Sequence, residues 1–118
     1  MSIKPVAFAI ALLGLAACAG APKPTQQLTA AKASIRGARE AGAKRVPKGR
    51  LHLTMALDQV AAAEALISKE EKLDHAKHLL IRAEAHANLA IVLARAHRAL
   101  AERARAIEQL EKLQNGSR

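Results

Sequence analysis

The sequence predicts an all-α protein, either a helical hairpin or a three-helix antiparallel bundle with a long, partly protruding C-terminal helix. Apolar residues recur at alternating spacings of three and four in three successive segments, which is the spacing of one helical face. The connections between these segments are short, which favours antiparallel neighbours. Sixteen of the 63 residues from 51 to 113 are alanine, so the helix axes can approach closely but bury little apolar area per residue.

The first helix is predicted over residues 26–41. Gly42 follows it and supplies a natural end, because glycine adopts a left-handed backbone conformation without steric cost. A second helix begins at about Pro47, since proline is tolerated in a first helical turn. The apolar stripes of these two helices consist of Leu28, Ala31, Ile35 and Ala38, and of Leu53, Ala56, Val60, Ala63 and Ile67.

The third helix is predicted over residues 71–113, a length of ~65 Å. Its start is placed by Ser68 and Glu71, whose spacing is that of a capping box, in which two side chains satisfy free N–H groups at a helix N-terminus. No glycine or proline interrupts the segment before Gly116. Its stripe consists of Leu73, Ala76, Leu80, Ala83, Ala87, Ala90 and Ala94.

The far part of the third helix carries a second apolar stripe, interrupted by Arg103. A protruding apolar stripe favours binding to a protein partner or to a second copy of the chain. A solvated single helix, steadied by alanine and by the pair of Glu108 with Lys112, is the other interpretation. The residues of this predicted partner face are Leu93, Ala96, Leu100, Ile107 and Leu110.

The N-terminus has the layout of an export signal. Lys4 supplies a positive charge, and an apolar run over residues 6–17 leads to small residues around Cys18. The run is shorter than the roughly 20 residues of a transmembrane helix. Leu15, Ala16, Ala17 and Cys18 resemble the bacterial lipobox, and this resemblance implies a covalent lipid on the Cys18 sulfur and removal of residues 1–17.

Cys18 is the only cysteine, so it cannot close a disulfide within the chain. The alternatives to lipidation are an ordinary signal cleaved after Ala19 and an uncleaved anchor. Ala19 follows the cysteine where lipoproteins retained in the inner membrane tend to carry an acidic residue, so the resemblance implies the periplasmic leaflet of the outer membrane. Residues 18–25 are predicted to be a tether and residues 114–118 a disordered tail.

The chain also resembles a known bacterial domain. The resemblance covers residues 28–96, and it rests on the segment from Ala38 to Ala43, on Pro47, and on regularly spaced small and apolar residues. The chain is similar to an alanine-rich helical lipoprotein domain of unknown function that occurs alone or ahead of an OmpA-like peptidoglycan-binding domain. The family implies a helical fold and an envelope location, and it supplies no activity. The spaced residues are Ala56, Ala63, Ala76, Leu79, Leu80, Ala83, Ala87 and Ala90.

The charge of +9 is unevenly distributed along the chain. Between Cys18 and Arg50, eight Lys and Arg face one Glu, whereas ten basic residues from residue 51 onward face nine acidic ones. Basic residues gain ~1 kcal/mol each beside anionic lipid headgroups. We expect this segment to bind anionic lipid or anionic wall polymer, and the alternative is a solvated face that only aids solubility. The candidate residues are Lys32, Arg36, Arg39, Lys44, Arg45, Lys48 and Arg50.

Other site classes find little support in the sequence. Nucleic acid is disfavoured by export and by the lack of an aromatic residue in the mature chain to stack on bases. His75 and His78 are close enough to share a metal, but two nitrogens alone make a poor site. No catalytic constellation and no cofactor other than the covalent lipid are predicted, and an alanine-lined bundle leaves little room for a small-molecule substrate.

The sequence therefore predicts a non-enzymatic, membrane-anchored periplasmic lipoprotein with a helical structural or adaptor domain. The alternative is a small module that binds anionic wall polymer or metal through its basic first helix or its histidines.

Overall fold

The computed structural model describes residues 21–117, and over these residues the predicted all-α fold is confirmed. The helices are α1 (Thr25–Glu40), α2 (Pro47–Ser68) and α3 (Leu73–Gly116), and a 3₁₀ turn spans Ala43–Arg45. The predicted signal of residues 1–17, with the lipobox residues Leu15, Ala16 and Ala17, and the acceptor Cys18 lie outside the described residues.

The helices form an up-down-up bundle in which α3 is the common neighbour of the other two. Lys23 Nζ lies 2.7 Å from Glu70 Oε1, so the start of α1 adjoins the start of α3. At the other end, Arg98 of α3 donates a hydrogen bond to the Ala41 carbonyl, at 3.2 Å. Helix α1 thus runs parallel to α3, and α2 runs antiparallel to both.

Ten of the fourteen buried hydrophobic residues are alanine, and the fourteen include every residue of the predicted stripes except the half-buried Leu28, Ile67 and Leu73. Leu53 and Leu80 are the largest fully buried side chains. Leu28 and Ile67 are partly buried against this core. Because an alanine methyl occupies little space, the helix axes lie close together and few side-chain atoms fill the interior. The buried hydrophobic residues are Ala31, Ile35, Ala38, Ala43, Leu53, Ala56, Val60, Ala63, Ala76, Leu80, Ala83, Ala87, Ala90 and Ala94.

The turn after α1 forms as predicted. Gly42 adopts a left-handed conformation with φ of 84°, and its N–H donates to the Arg39 carbonyl at 3.0 Å. Pro47 is the first residue of α2. At this position a backbone N–H would have no acceptor within the helix, so the N–H that proline lacks is not needed. The chain therefore reverses direction within six residues and places α2 beside α3.

The predicted capping box at Ser68 is wrong. Ser68 is the last residue of α2, and its hydroxyl donates back to the Ala65 carbonyl at 2.9 Å. Glu70 has φ of 55°, its N–H donates to Ile67 O at 3.1 Å, and the Glu71 N–H donates to Leu66 O at 3.0 Å. This pair of bonds is a Schellman motif, which ends α2 with a non-glycine residue in the left-handed position.

The bounds of α3 also differ from the prediction. The helix begins at Leu73, after Lys72 with φ of 46°, and ends at Gly116. Residues 114–116 of the predicted tail are therefore helical. The predicted tether is partly ordered as well, since Pro24 is buried and Thr25 already belongs to α1.

No buried residue follows Ala94 in α3. Residues 95–116 are called the α3 extension below, and at 1.5 Å per residue they measure about 33 Å. The ion pair of Lys112 Nζ with Glu108 Oε1, at 2.7 Å, forms within it as predicted. Over residues 21–117, no helix combines the length and the apolar character that crossing a membrane requires.

Candidate functional site

The predicted partner face on α3 is largely exposed to solvent. Leu100, Ile107 and Leu110 expose 65%, 46% and 59% of their surface, and Ala96 is exposed too. Leu93 is half-buried at the edge of the bundle. The structure therefore keeps four of the five predicted residues on an open surface and places the fifth at its border.

The exposed apolar surface of α3 is larger than the sequence indicated. Seven of the eight exposed large hydrophobic residues over residues 21–117 lie on α3. The exposed hydrophobic residues beside the bundle were not predicted, because the part of α3 that contains them was predicted only to face the core. The seven are Ile81, Leu89, Val92, Leu100, Ile107, Leu110 and Leu113.

Helical geometry places most of these residues on the side of α3 that faces away from the bundle. At about 100° per residue, the mean direction of the exposed set lies roughly 160° from that of the buried Ala87, Ala90 and Ala94. Helix α3 thus has two apolar faces, one covered by α1 and α2 and one open. The open one is called the outer stripe below; it comprises Leu89, Val92, Ala96, Leu100, Ile107 and Leu110.

The predicted anionic-surface residues are all exposed, but they lie in two separate parts of the bundle. Lys32, Arg36 and Arg39 lie on α1, where Lys32 forms an ion pair with Glu64 of α2. Because α1 runs away from the tether for ~24 Å, the remaining four lie at the opposite end of the bundle. These four are Lys44, Arg45, Lys48 and Arg50. Nearness along the chain is therefore a poor guide to which of these basic residues share one surface.

At this opposite end, α3 adds further positive charge. A groove of about 250 Å³, called the distal groove below, lies between the turn after α1 and the beginning of the α3 extension. Arginines from both sides line it, and one carboxylate, that of Glu102, is among them. Its lining residues are Ala41, Gly42, Arg45, Val46, Ala94, His97, Arg98, Ala101, Glu102 and Arg105.

The histidines do not gather into a metal centre. The His78 Nδ1–H donates to the Asp74 carbonyl within the same turn of α3, at 2.8 Å, which occupies one of its two nitrogens. Over residues 21–117 no group of three His, Cys, Asp or Glu side chains is placed to hold a metal ion.

A contact between His52 of α2 and His86 of α3 was not foreseen. Their Nδ1 atoms lie 3.1 Å apart and their rings stack, with centroids 5.3 Å apart. One ring must donate and the other accept, which requires at least one neutral imidazole. The pKa of His86 is lowered, first by burial and then by the charges of His52 and Arg82. The residues are 34 apart in the chain, so no local pattern indicates the pair.

Comparison with known proteins identifies a family but no function. No match was found among curated proteins or among solved structures. A family described as "Domain of unknown function (DUF4398)" matches residues 26–112, a range that includes all of α2 and most of the α3 extension. The chain belongs to the DUF4398 family.

Proposed function

We propose that this protein is a lipid-anchored envelope protein whose helical domain is a structural or adaptor module, with the outer stripe of α3 as its protein-binding surface. The observation that carries the proposal is the second apolar face of α3, which α1 and α2 leave uncovered. Large exposed apolar surfaces mark interaction sites in soluble domains.

The energetics favour a helical partner. Burying a leucine or isoleucine side chain completely contributes ~1.5–3 kcal/mol, so Leu100, Ile107 and Leu110 together supply several kcal/mol to an interface. The extension is already helical before it binds, supported by alanine and by the Glu108–Lys112 pair. A preformed helix loses little backbone entropy on binding, which makes helix-to-helix packing the natural mode of recognition.

The fold also orients the α3 extension relative to the tether. Lys23 and Pro24 hold the end of the tether against the start of α3 through the ion pair with Glu70 and through burial. A lipid on Cys18 would therefore sit near one end of the bundle, and the α3 extension points away from that end. The module would hold its protein-binding helix at a distance from the membrane.

Photo-crosslinking in intact envelopes tests the binding surface. We expect a photoreactive residue at Leu100 or Leu110 to give protein adducts, whereas the same residue at Gln109 gives far fewer than at Leu100, since Gln109 lies about 180° around α3 from Leu100. Equal adduct yields at Leu100 and Gln109, or no adducts at Leu100 and Leu110, would contradict the proposal.

Intact mass measurement tests the anchor separately. We expect the chain from the membrane fraction to begin at Cys18 and to carry the mass of two or three acyl chains. Cys18→Ser should lack that mass and leave the membrane fraction. A cytosolic chain that still begins at Met1 would overturn the envelope location and leave the helical fold unaffected.

A further inference from the structure

We infer that the distal groove is a binding site for an anionic polymer, whose phosphate or carboxylate groups contact Arg45, Arg98 and Arg105. This site is separate from the outer stripe and takes a ligand of a different class. It goes beyond the proposed adaptor function, and it requires neither the lipid nor a protein partner.

The guanidinium groups come from two elements, and two of the three contact the backbone at the end of α1. Arg98 donates one hydrogen bond to the Ala41 carbonyl at the end of α1, at 3.2 Å, and keeps its other N–H groups free. Arg45 folds over Gly42, so closely that a Cβ at Gly42 would lie 2.6 Å from Arg45 Nη2. The missing side chain of Gly42 thus makes room for a guanidinium group at the edge of the groove.

The electrostatics favour an anion. Three arginines line the groove against one glutamate, Glu102, and no salt bridge of residues 21–117 joins Glu102 to any of them. Guanidinium groups form bidentate hydrogen bonds with both carboxylate and phosphate, which are stronger than bonds between neutral groups. The arginines outnumber the single carboxylate and form no salt bridge with it, so they are available to an external anion.

The dimensions favour a polymer over a small free anion or a flat membrane. Arg98 and Arg105 are seven residues apart on α3, which spreads the positive charge over ~10 Å along the helix. The groove volume of about 250 Å³ is below the ~300–1,000 Å³ of pockets that enclose a whole small ligand. Side groups projecting from a polyanion fit such a groove, whereas a planar lipid surface contacts convex faces better.

The test uses the full chain in non-ionic detergent at low ionic strength, titrated with polyphosphate and with polyglutamate as the phosphate and carboxylate probes. The variant is Arg45→Gln with Arg105→Gln. Arg98 is kept because its bond to Ala41 supports α1. The matched control is Arg36→Gln with Arg39→Gln, which removes the same charge from the α1 surface. Circular dichroism establishes that both variants keep the helix content of the parent.

We expect the parent to bind at least one polymer, with an affinity that the groove variant lowers by about tenfold or more and the control lowers much less. The polymer that binds more tightly identifies the anionic group. An equal loss in both variants would overturn the inference in favour of nonspecific charge attraction. Binding to phosphatidylglycerol vesicles but to neither polymer would also overturn it, as would the absence of any binding.

Discussion

Helix α3 changes character at Ala94 although its alanine content hardly changes. Before that point, alanines on one face are buried by α1 and α2. After it, alanines are still frequent, but every residue except the half-buried Ala101 is exposed. The same residue type therefore serves two purposes, since it permits close helix contact in the bundle and supports helicity in the extension. The two parts of α3 differ because α1 and α2 pack against only the first of them. Substitutions at matched positions in the two parts should therefore change stability by different amounts.

The largest difference should appear when a buried and an exposed leucine are compared. Leu80→Ala removes one of the two largest fully buried side chains and should lower the free energy of unfolding by ~2–5 kcal/mol, because it loses apolar burial and leaves a cavity. Leu110→Ala in the extension should change it by less than ~0.5 kcal/mol. Urea unfolding followed by circular dichroism measures both values. Similar losses at the two sites would mean that the extension is packed in the isolated protein.

Enlarging an alanine should have the next largest effect. Ala87 has no exposed surface, so Ala87→Leu should push α3 away from its neighbours and destabilise the bundle by ~1–3 kcal/mol. Ala104→Leu is the matched change in the extension and should be close to neutral. If Ala87→Leu is tolerated as well as Ala104→Leu, the close approach of the helices is not what requires alanine.

A comparison of two glycines tests the turn that sets the direction of the bundle. Gly42→Ala places a side chain at φ of 84° and against the Arg45 guanidinium, and it should destabilise the fold by ~1–2 kcal/mol. Gly116→Ala, at the end of α3 with no atom nearby, should leave stability unchanged within ~0.5 kcal/mol. Thermal unfolding of both variants checks the pair. Equal melting temperatures for the two would contradict the left-handed turn.

The smallest effect should be a pH dependence confined to the bundle. The pKa of His86 is lowered by burial and by nearby positive charge, so the unfolded chain binds a proton more readily than the folded one. The contribution of neutral His86 to the free energy of unfolding is therefore fully present above the ordinary imidazole pKa of about 6.5, and it is lost as the pH falls through the lowered pKa of His86. His86→Gln should flatten the fall in stability below pH 6.5, whereas His78→Gln should preserve it. An unchanged slope in His86→Gln would contradict this assignment.

Local patterns were sufficient to predict the helices. The three-four spacing identified the buried residues of α1 and α3 and, except for Gly49, those of α2. The residue types at Gly42 and Pro47 marked the turn between α1 and α2. These features depend on backbone conformation and helical periodicity, which the sequence reports directly. The turn before α3 was misplaced because Glu70 and Lys72 adopt positive φ without being glycine or asparagine, so their residue types give no signal.

The candidate sites depended on contacts that no local pattern reports. Arg45 reaches the distal groove beside Arg98, 53 residues away in the chain, because α1 and α3 run parallel. The basic residues were predicted to act together because they are close along the chain, whereas the fold separates those on α1 from those of residues 44–50. Likewise, the outer stripe extends beside the bundle because α1 and α2 cover only one face of α3.

Hydrogen exchange along α3 tests the central claim most directly, because it reports on both parts of one helix in a single measurement. In the isolated protein at low concentration, we predict that backbone amides of residues 83–94 exchange roughly a hundredfold more slowly than those of residues 100–113. Under the proposed adaptor function, we expect the extension to become protected when cell-envelope membranes are added. Equal protection along the whole of α3 in the isolated protein, unchanged on dilution, would contradict the division into a bundle helix and a free binding helix.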